Sequence, residues 1–369
     1  DLARRDFTIN AMAYSAEEGL IDPFGGRDDL AAHLVRAVGE PERRFEEDAL
    51  RILRLYRFAA RFGFAIDPAT GAAARALGPH LDCVSAERIQ EELLKLLAAP
   101  RPGSYLEPAV LAVVLPELEP EKQPERFAEL CRTIDRIEPT AENVPARLAA
   151  LLCPLGEAGA RKALRKLKCS NALTDEVTAL EREAGGGAGS FLLGHEFELR
   201  HPADALCLER HSHPAGRCPN SNSLFPPQAA VVAVAGHSIA RNRVPPQRTV
   251  LGETPGTPNT TLTVQAKRLL GRYELPTIKR LTALCSARHP EQAEAFAALR
   301  AEAERLTAEN ACCRVSQLAV NGRDLMAAGV RPGPGLRQVL NALLEAVITG
   351  QTPNEKDALL AAAAQFSAS

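Results

Sequence analysis

The sequence predicts a mainly α-helical protein that begins with a short mixed α/β segment. Of its 369 residues 46% are hydrophobic but only 4% are aromatic and none is Trp, so the core must consist mainly of Ala and Leu, which favour helices. Apolar residues also recur at helical spacing along most of the chain. A strand-like piece is visible only in "GLIDPF" (19–24), before the Gly25-Gly26 turn, and without a recognisable partner we expect it to be an exposed or unpaired edge.

The helical pattern starts with "RRFEEDALRILRLYRFAARFGF" (43–64), which predicts one helix stopped by Gly63. A second helix is predicted in "SAERIQEELLKLL" (85–97), with Ser85 as its N-cap. The C-terminal part predicts a short helix, a Gly-Pro turn and a long helix that ends at Gly350. Further short amphipathic helices are predicted at 106–115, 124–136, 142–153 and 158–168.

Residues 190–260 differ from the rest, because they are rich in Pro, lack Lys and show no helical or strand period. Two explanations stay open: a disordered insertion, or a stretch translated from a shifted reading frame. The spacing of Cys207, His211, His213 and Cys218 matches no zinc pattern, so we predict no metal site there.

Bulk properties exclude several classes of protein. The net charge of −2 means that any nucleic-acid surface must be a local patch. Nine Cys without a Cys-x-x-Cys pair predict reduced thiols and a cytoplasmic location. No signal peptide or apolar run of membrane length is visible.

The first ten residues, "DLARRDFTIN", concentrate groups that suit a phosphorylated ligand. Arg4 and Arg5 offer planar donor forks for phosphate oxygens, whereas Asp6 and Asn10 hydrogen-bond at short range. The pattern indicates a nucleotide or polyphosphate site; the alternative is a solvated charged turn.

A second pair is found in "EEDALRILR". Asp48 and Arg51 are three residues apart, so on one helix they share a face, and Arg54 follows one turn later. A carboxylate acceptor beside a guanidinium donor can pair with the Watson–Crick edge of a base. The alternative is a surface salt bridge within the helix.

Two segments are candidates for contact with a polyanion. "RKALRKLK" (161–168) would place Arg161, Arg165 and Lys168 on one helix face, as a phosphate-binding patch or a solvated face. "GVRPGPG" (329–335) would present backbone N–H groups around Gly333 and Gly335 at a helix N-terminus, unless it is a plain turn.

Four segments occur in the same order as motifs of a known family: "RRDFTINAMA", "IDPFGGRDDL", "RFEEDALRILRLYRFAARFGF" and "SAERIQEELLKLL". In this order they resemble the class II tRNA nucleotidyltransferases, which are the CCA-adding enzymes, and their bacterial poly(A) polymerase relatives. The tail, "LAVNGRDLMAAGVRPGPGLRQVLNALLEAVITGQTPNEKDALL", resembles that of bacterial CCA-adding enzymes without an HD domain and resembles poly(A) polymerases much less. The likeness covers residues 1–180 and 262–369.

The resemblance implies a role for each motif. One group would hold the ribose and triphosphate of the incoming nucleotide: Arg4, Arg5, Asp6 and Asn10. Asp48 and Arg51 would select C or A, Arg54 would orient the base or triphosphate, and the Asp22–Gly26 turn would be a flexible joint. The neck helix would be capped by Ser85 and braced by Glu87 and Arg88. The tail would contact tRNA through its backbone phosphates.

The resemblance also implies Mg²⁺, held by an Asp-x-Asp pair upstream of the arginine motif (Arg4, Arg5, Asp6 and Asn10). The substrates would be ATP and CTP. Neither that pair nor the family's Gly-Ser phosphate loop occurs in the sequence. Asp28 and Asp29, an adjacent pair past the turn, are not expected to replace them. We therefore expect a chain that is N-terminally incomplete and inactive as written.

The predicted function is the stepwise addition of CMP, CMP and AMP to the tRNA 3′ end without a nucleic-acid template. Alternatives are addition of only CC or only A, poly(A) synthesis, and a non-catalytic tRNA-binding protein. The expected partners are tRNA and nucleoside triphosphates but no membrane, and the sequence leaves the oligomeric state open. The predicted domains are a remnant of a mixed α/β nucleotidyltransferase head (1–30), an all-α neck (31–100), a helical body (101–189 and 261–310), the insertion (190–260) and a tail (311–369).

Overall fold

The computed structural model describes residues 1–185 and 258–366, and in them it confirms the mainly α-helical class. The described helices are α1 (Gly26–Ala31), α2 (Pro41–Glu47), α3 (Leu50–Phe62), α4 (Pro68–Ala76), α5 (Ala86–Leu97), α6 (Pro108–Val114), α7 (Pro124–Arg136), α8 (Val144–Leu152), α9 (Gly156–Lys166), α10 (Asn171–Gly185), α11 (Pro258–Arg272), α12 (Leu275–Arg288), α13 (Ala293–Ala308), α14 (Gly322–Ala327), α15 (Pro334–Ile348) and α16 (Lys356–Phe366). The predicted insertion lies outside the described residues except for 258–260, which begin α11. The His and Cys residues between 207 and 218 lie outside them too.

The strand predicted to be an exposed or unpaired edge has one partner. β2 (Gly19–Ile21) pairs antiparallel with β1 (Ala13–Ser15) in a two-stranded sheet, so it is an edge strand but not an unpaired one. The short alternation in "AYS" was too brief to read as a strand. Tyr14 and Leu20, which face each other across the hairpin, are 78% and 51% exposed.

The segment 34–38 joins the N-terminal motif to the neck. β3 (Leu34–Val35) pairs in parallel with β4 (Ala65–Ile66) on one side. On the other side, the Thr8 amide donates to the Arg36 carbonyl at 2.9 Å, and the Val38 amide donates to the Asp6 carbonyl at 3.1 Å. Phe7, between these two bonds, is fully buried. Backbone hydrogen bonds therefore fix the arginine motif against the neck.

The Asp22–Gly26 turn fixes the beginning of α1. The Asp22 carboxylate accepts from the Gly26 and Arg27 amides at 2.8 and 2.9 Å, and these backbone hydrogen bonds lower its pKa. A Cβ on Gly26 would lie 2.2 Å from the Thr8 carbonyl oxygen, so only glycine allows this close approach. The predicted flexibility of this joint stays a prediction.

The single helix predicted over 43–64 is broken at Asp48. Asp48 has extended backbone angles (φ −156°, ψ 103°) between α2 and α3, so the expectation that Asp48 and Arg51 share one helix was wrong. The Asp48 carboxylate accepts from the Leu50 amide at 3.2 Å, and aspartate favours such capping over a helix interior. Gly63 ends α3 in the left-handed conformation (φ 68°), as predicted.

Two hydrophobic clusters hold the rest of the described chain. The larger extends from Phe7 through the neck and body helices to Cys313. The smaller belongs to the tail and consists of Leu318, Val320, Leu325, Val339, Leu343, Val347, Leu359 and Ala363. The predicted turn and long helix are confirmed there, since α15 ends before Gly350, which has φ 76°.

Candidate nucleotide-binding site

The structure brings the first and third sequence motifs together. Arg51 Nη2, in the first turn of α3, donates to the backbone carbonyl of Arg4 at 3.1 Å. Its Nη1 donates to the Arg44 carbonyl at 3.0 Å and to Glu47 Oε2 at 2.9 Å. These three bonds use three of the five guanidinium N–H groups, which leaves Nε–H and one Nη2–H for a ligand. The Arg51 side chain is 15% exposed, so solvent and ligands reach it.

Asp48 lies beside this arginine and is held from a different helix. Its Oδ2 accepts from Arg88 Nη2, in α5, at 2.8 Å, while its Oδ1 accepts from the Leu50 amide. The Arg51 amide donates to the Asp48 carbonyl at 3.0 Å, but no hydrogen bond joins the two side chains in the described residues. A carboxylate offers about four acceptor positions, so two remain for a ligand amine.

The remaining residues of the arginine motif divide into two groups. Asp6 forms a 2.5 Å ion pair with Arg54, and Asn10 Oδ1 accepts from the Phe7 amide at 3.3 Å. These contacts fix the motif itself. Arg4 and Arg5 are exposed, with a single 3.8 Å contact from Arg5 to Asp1 among the described side chains. Their guanidinium groups are therefore available for phosphate oxygens.

Of the three neck-bracing residues, Arg88 makes the direct contact with Asp48. Ser85 occupies the N-cap position of α5, but its side chain makes no cap hydrogen bond, which corrects the predicted capping. Glu87 is exposed and has no hydrogen-bond or ion-pair partner within residues 1–185 and 258–366, so bracing by Glu87 is not observed.

The sequence did not single out four residues that complete the site. Glu47 lies between Arg44 (3.1 Å) and Arg51 (2.9 Å), and the hydrogen bond from Arg51 lowers its pKa. On the next turns of α3, Arg57 pairs with the buried Glu92 of α5 at 2.7 Å. The sequence did contain a signal for Arg57, because an arginine recurs on each turn of α3.

The residues predicted to bind tRNA lie on or just after α9 and at the N-terminus of α15. Arg161 donates to Asp175 and Thr178 on α10 at 3.1 and 2.8 Å. Lys168 follows the end of α9 with φ 57°, which corrects its placement on one helix face with Arg161 and Arg165. Arg165 is exposed. Gly333 (φ 138°) is the N-cap of α15, and Gly335 follows in its first turn.

The residues present do not fit a magnesium centre. Both Asp29 oxygens face Arg36 at 3.2–3.3 Å, and Oδ2 also accepts from Thr8 Oγ1 at 2.6 Å, whereas Asp28 is exposed. Within the described ranges, no three His, Cys, Asp or Glu side chains could hold a metal ion. Along the same ranges, no helix combines the length and apolarity that crossing a bilayer requires.

Comparison with known proteins agrees with this arrangement. Family models match residues 1–36 (poly A polymerase head domain), 63–122 ("Probable RNA and SrmB- binding site of polymerase A") and 266–363 (tRNA nucleotidyltransferase domain 2). In these three stretches the chain is similar to the class that comprises poly A polymerases and tRNA nucleotidyltransferases.

Individual proteins that are similar to the chain are CCA-adding enzymes. The CCA-adding enzyme of Leuconostoc citreum is 40% identical over 159 residues, 42% of this chain and 40% of the relative. That of Lactobacillus helveticus is 28% identical over 97% of this chain and 70% of the relative. The crystal structure of the Bacillus stearothermophilus CCA-adding enzyme in complex with CTP has a TM-score of 0.65 and 25% identity, covering 99% of this chain and 73% of that one. The chain is similar to these CCA-adding enzymes, and it spans only about 40% of the length of its Leuconostoc relative.

Proposed function

We propose that the protein is a CCA-adding tRNA nucleotidyltransferase in which Asp48 and Arg51 select the incoming base. One observation carries the proposal: Arg51 donates to the Arg4 carbonyl, so the pair proposed to read the base adjoins the motif proposed to bind phosphates. A nucleotide bound between them would present its base to Asp48 and Arg51 and its phosphates to Arg4 and Arg5. Substrates would be CTP, ATP and tRNA, in the cytoplasm.

The hydrogen-bonding pattern of the pair accounts for the choice of C and A. The exocyclic amines of both bases donate to a carboxylate, and their neighbouring ring nitrogens accept from a guanidinium. U and G present a carbonyl where C and A present the amine, and an N–H where C and A present the ring nitrogen. The carbonyl would then face the Asp48 carboxylate and the N–H would face the Arg51 guanidinium, so neither hydrogen bond could form. Asp48 and Arg51 retain the free acceptors and donors that this pairing needs.

Arg88 and Glu47 would position this pair. Arg88 holds one Asp48 oxygen, and Glu47 together with the Arg44 carbonyl holds Arg51 Nη1. Fixing both groups before the nucleotide arrives limits the entropy lost on binding. Asp6 and Arg54 would position the arginine motif in the same way.

The test uses the protein expressed from its complete open reading frame, with tRNAs that end at the discriminator base, at C and at CC. Each nucleotide is supplied separately. We expect CMP on the first two tRNAs, a single AMP on the third, and no UMP or GMP. Long A tracts would identify a poly(A) polymerase, and addition of only C or only A would identify a divided activity. Binding of tRNA without incorporation would favour the non-catalytic alternative.

The exposed N-terminus of α15 supports a tRNA contact by the tail. Gly329, Val330, Arg331 and Gly335 line a cavity of about 610 Å³ there. Backbone N–H groups at a helix N-terminus and a neighbouring arginine suit a phosphate group. Arg165, exposed on α9, is a second candidate.

A further inference from the structure

The tail joins the body at two adjacent cysteines. Cys313 is 4% exposed and belongs to the larger hydrophobic cluster, whereas Cys312 packs against the smaller cluster of the tail. A Cβ on Gly271, in α11, would lie 2.8 Å from the Cys313 carbonyl oxygen, so the connecting backbone packs directly on this helix. The chain thus passes from one core to the other between two consecutive residues. We call residues 309–321, which connect α13 to α14, the joint.

Arg314 fixes the joint to the end of α11. Its guanidinium donates to the Leu270 carbonyl at 3.1 Å, to the Tyr273 carbonyl at 3.4 Å and to the Glu274 carboxylate at 2.8 Å. The last carbonyls of a helix have no partner within that helix. Arg314 therefore supplies, from outside, hydrogen-bond donors for the C-terminus of α11, as basic side chains do at many helix ends.

Gln317 and Asn354 fix the backbone of the joint to the tail. Gln317 Oε1 accepts from the amides of Cys313 and Arg314, both at 2.9 Å. The Gln317 carbonyl accepts from Asn354 Nδ2 at 3.0 Å, and Asn354 Oδ1 accepts from the Ala319 amide at 2.9 Å. The joint is thus bonded to the body through Arg314 and to the tail through Asn354.

A second contact connects α11 to the long helix of the tail. Arg268 of α11 forms an ion pair with Glu345 of α15. From Glu345 back to Pro334, α15 extends about 16 Å to the N-terminus that is proposed to hold a phosphate. A pivot of about 20° at Glu345 would move that end by about 6 Å, which is more than a hydrogen bond tolerates. Two separate contacts with α11 oppose such a pivot better than one.

We propose that Arg314 and the Arg268–Glu345 pair are positioning residues, which keep the tail in the one orientation that lets tRNA contact the tail and the nucleotide site together. The inference rests on the proposed function and deepens it. If the tail has this orientation for only a fraction of the time, the apparent Kd for tRNA rises by the inverse of that fraction. The Kd of an RNA that contacts only the nucleotide site does not change.

The test measures the affinity of the 369-residue chain for tRNA that lacks CCA and for a hairpin of the acceptor stem alone. Because Glu345→Arg places two arginines opposite each other, we expect it to weaken tRNA binding about three- to tenfold, equivalent to a binding-competent fraction of about 0.1–0.3. Arg268→Glu should weaken binding to a similar extent. The double variant restores an ion pair of reversed polarity and should return the Kd to within about twofold of the unsubstituted value. The Kd for the hairpin should change by less than about twofold throughout.

The sign of the Glu345 effect separates positioning from direct contact with RNA. Glu345→Arg replaces a negative charge by a positive one, so it would strengthen binding if this surface only attracted phosphates. Positioning predicts weaker binding instead. Arg300→Glu is the matched control for Arg268→Glu, since it reverses the charge of an exposed arginine whose partner, Glu304, lies within α13. It should leave both Kd values within about twofold of the unsubstituted ones.

Hydrogen exchange provides a measurement of the joint that does not involve RNA. In Arg314→Ala, we expect the amides of Cys313 and Arg314 to exchange faster than in the unsubstituted chain, and tRNA binding to weaken about three- to tenfold. Circular dichroism checks that each variant folds. Arg314 and Glu345 lie at the surface of the two cores, so their substitution empties neither.

The outcomes distinguish this inference from the proposed function. If the unsubstituted chain binds no tRNA, the proposed function fails and the inference fails with it. If it binds tRNA, three results would each overturn the inference alone: tighter binding by Glu345→Arg, no recovery in the double variant, or unchanged exchange and affinity in Arg314→Ala. An equal loss of affinity for tRNA and for the hairpin would also overturn it, because it would indicate a general effect on folding.

Discussion

Arg51 and Arg4 are 47 residues apart in the sequence, and the guanidinium of the first donates a 3.1 Å hydrogen bond to the backbone carbonyl of the second. The bond joins the residue proposed to read the base to the motif proposed to bind phosphates. Because Arg51 is also fixed by Glu47 and the Arg44 carbonyl, its two free N–H groups point in a set direction.

Arg88 should affect nucleotide choice without contacting the nucleotide, since it holds Asp48. In the protein from the complete open reading frame, we expect Arg88→Ala to lower the preference for CTP over UTP about three- to tenfold. Arg88→Lys should restore part of the preference, because an ammonium can still pair with Asp48. The ion pair is half-exposed, so stability should change by less than about 1 kcal/mol. Glu87→Ala is the control, because the Glu87 carboxylate has no partner in the described part of the chain; an equal loss of preference there would contradict positioning by Arg88.

Arg147 should be a major contributor to stability of the body. It is fully buried, lacks a carboxylate partner within the described residues, and donates to the carbonyls of Leu97, Ala99, Pro100 and Ile137. Arg147→Met would leave these carbonyls without their donor, at about 1–3 kcal/mol for each buried group. We expect the free energy of unfolding in urea to fall by about 4 kcal/mol or more. Arg300→Met should lower it by less than about 1 kcal/mol; similar losses for both would refute this role.

Glu181 should make stability depend on pH. Its carboxyl is 3% exposed, and burial raises its pKa to about 7 although Arg288 opposes the shift. The folded state therefore retains a proton that the unfolded state releases near pH 4.5. The corresponding stabilisation is present below pH 4.5 and is lost as the pH rises to 7.

Urea unfolding between pH 5 and 8 measures this effect. Over that range the free energy of unfolding of the native protein should fall by about 2–3 kcal/mol relative to that of Glu181→Gln. Glu125→Gln, an exposed change, should follow the native protein. If the free energy of unfolding depended on pH in the same way for the native protein and both variants, burial of Glu181 would not affect its ionisation.

The sequence predicted the helices better than it predicted what joins them. Gly63 and Gly350 were recognisable in the sequence as helix stops, because glycine adopts the positive φ at which many helices end. Both residues have a positive φ in the structure. The break at Asp48 was missed, since the apolar period continues across it and only the carboxylate bond to Leu50 marks the interruption. Arg161 illustrates a limit of charge patterns: its contacts with α10 depend on tertiary packing. The Arg51–Arg4 bond likewise depends on how the neck folds back, which spacing alone does not show.

The central claim is that Asp48 and Arg51 dictate the base, and the most direct measurement is the ratio of kcat/KM for CTP and UTP on tRNA lacking CCA. The comparison is between the unsubstituted protein, from its complete open reading frame, and Arg51→Ala. Losing the donor half of the pair should lower this ratio by about 5- to 150-fold, the equivalent of about 1–3 kcal/mol of base discrimination. A variant that is slower yet keeps the ratio unchanged would contradict the claim.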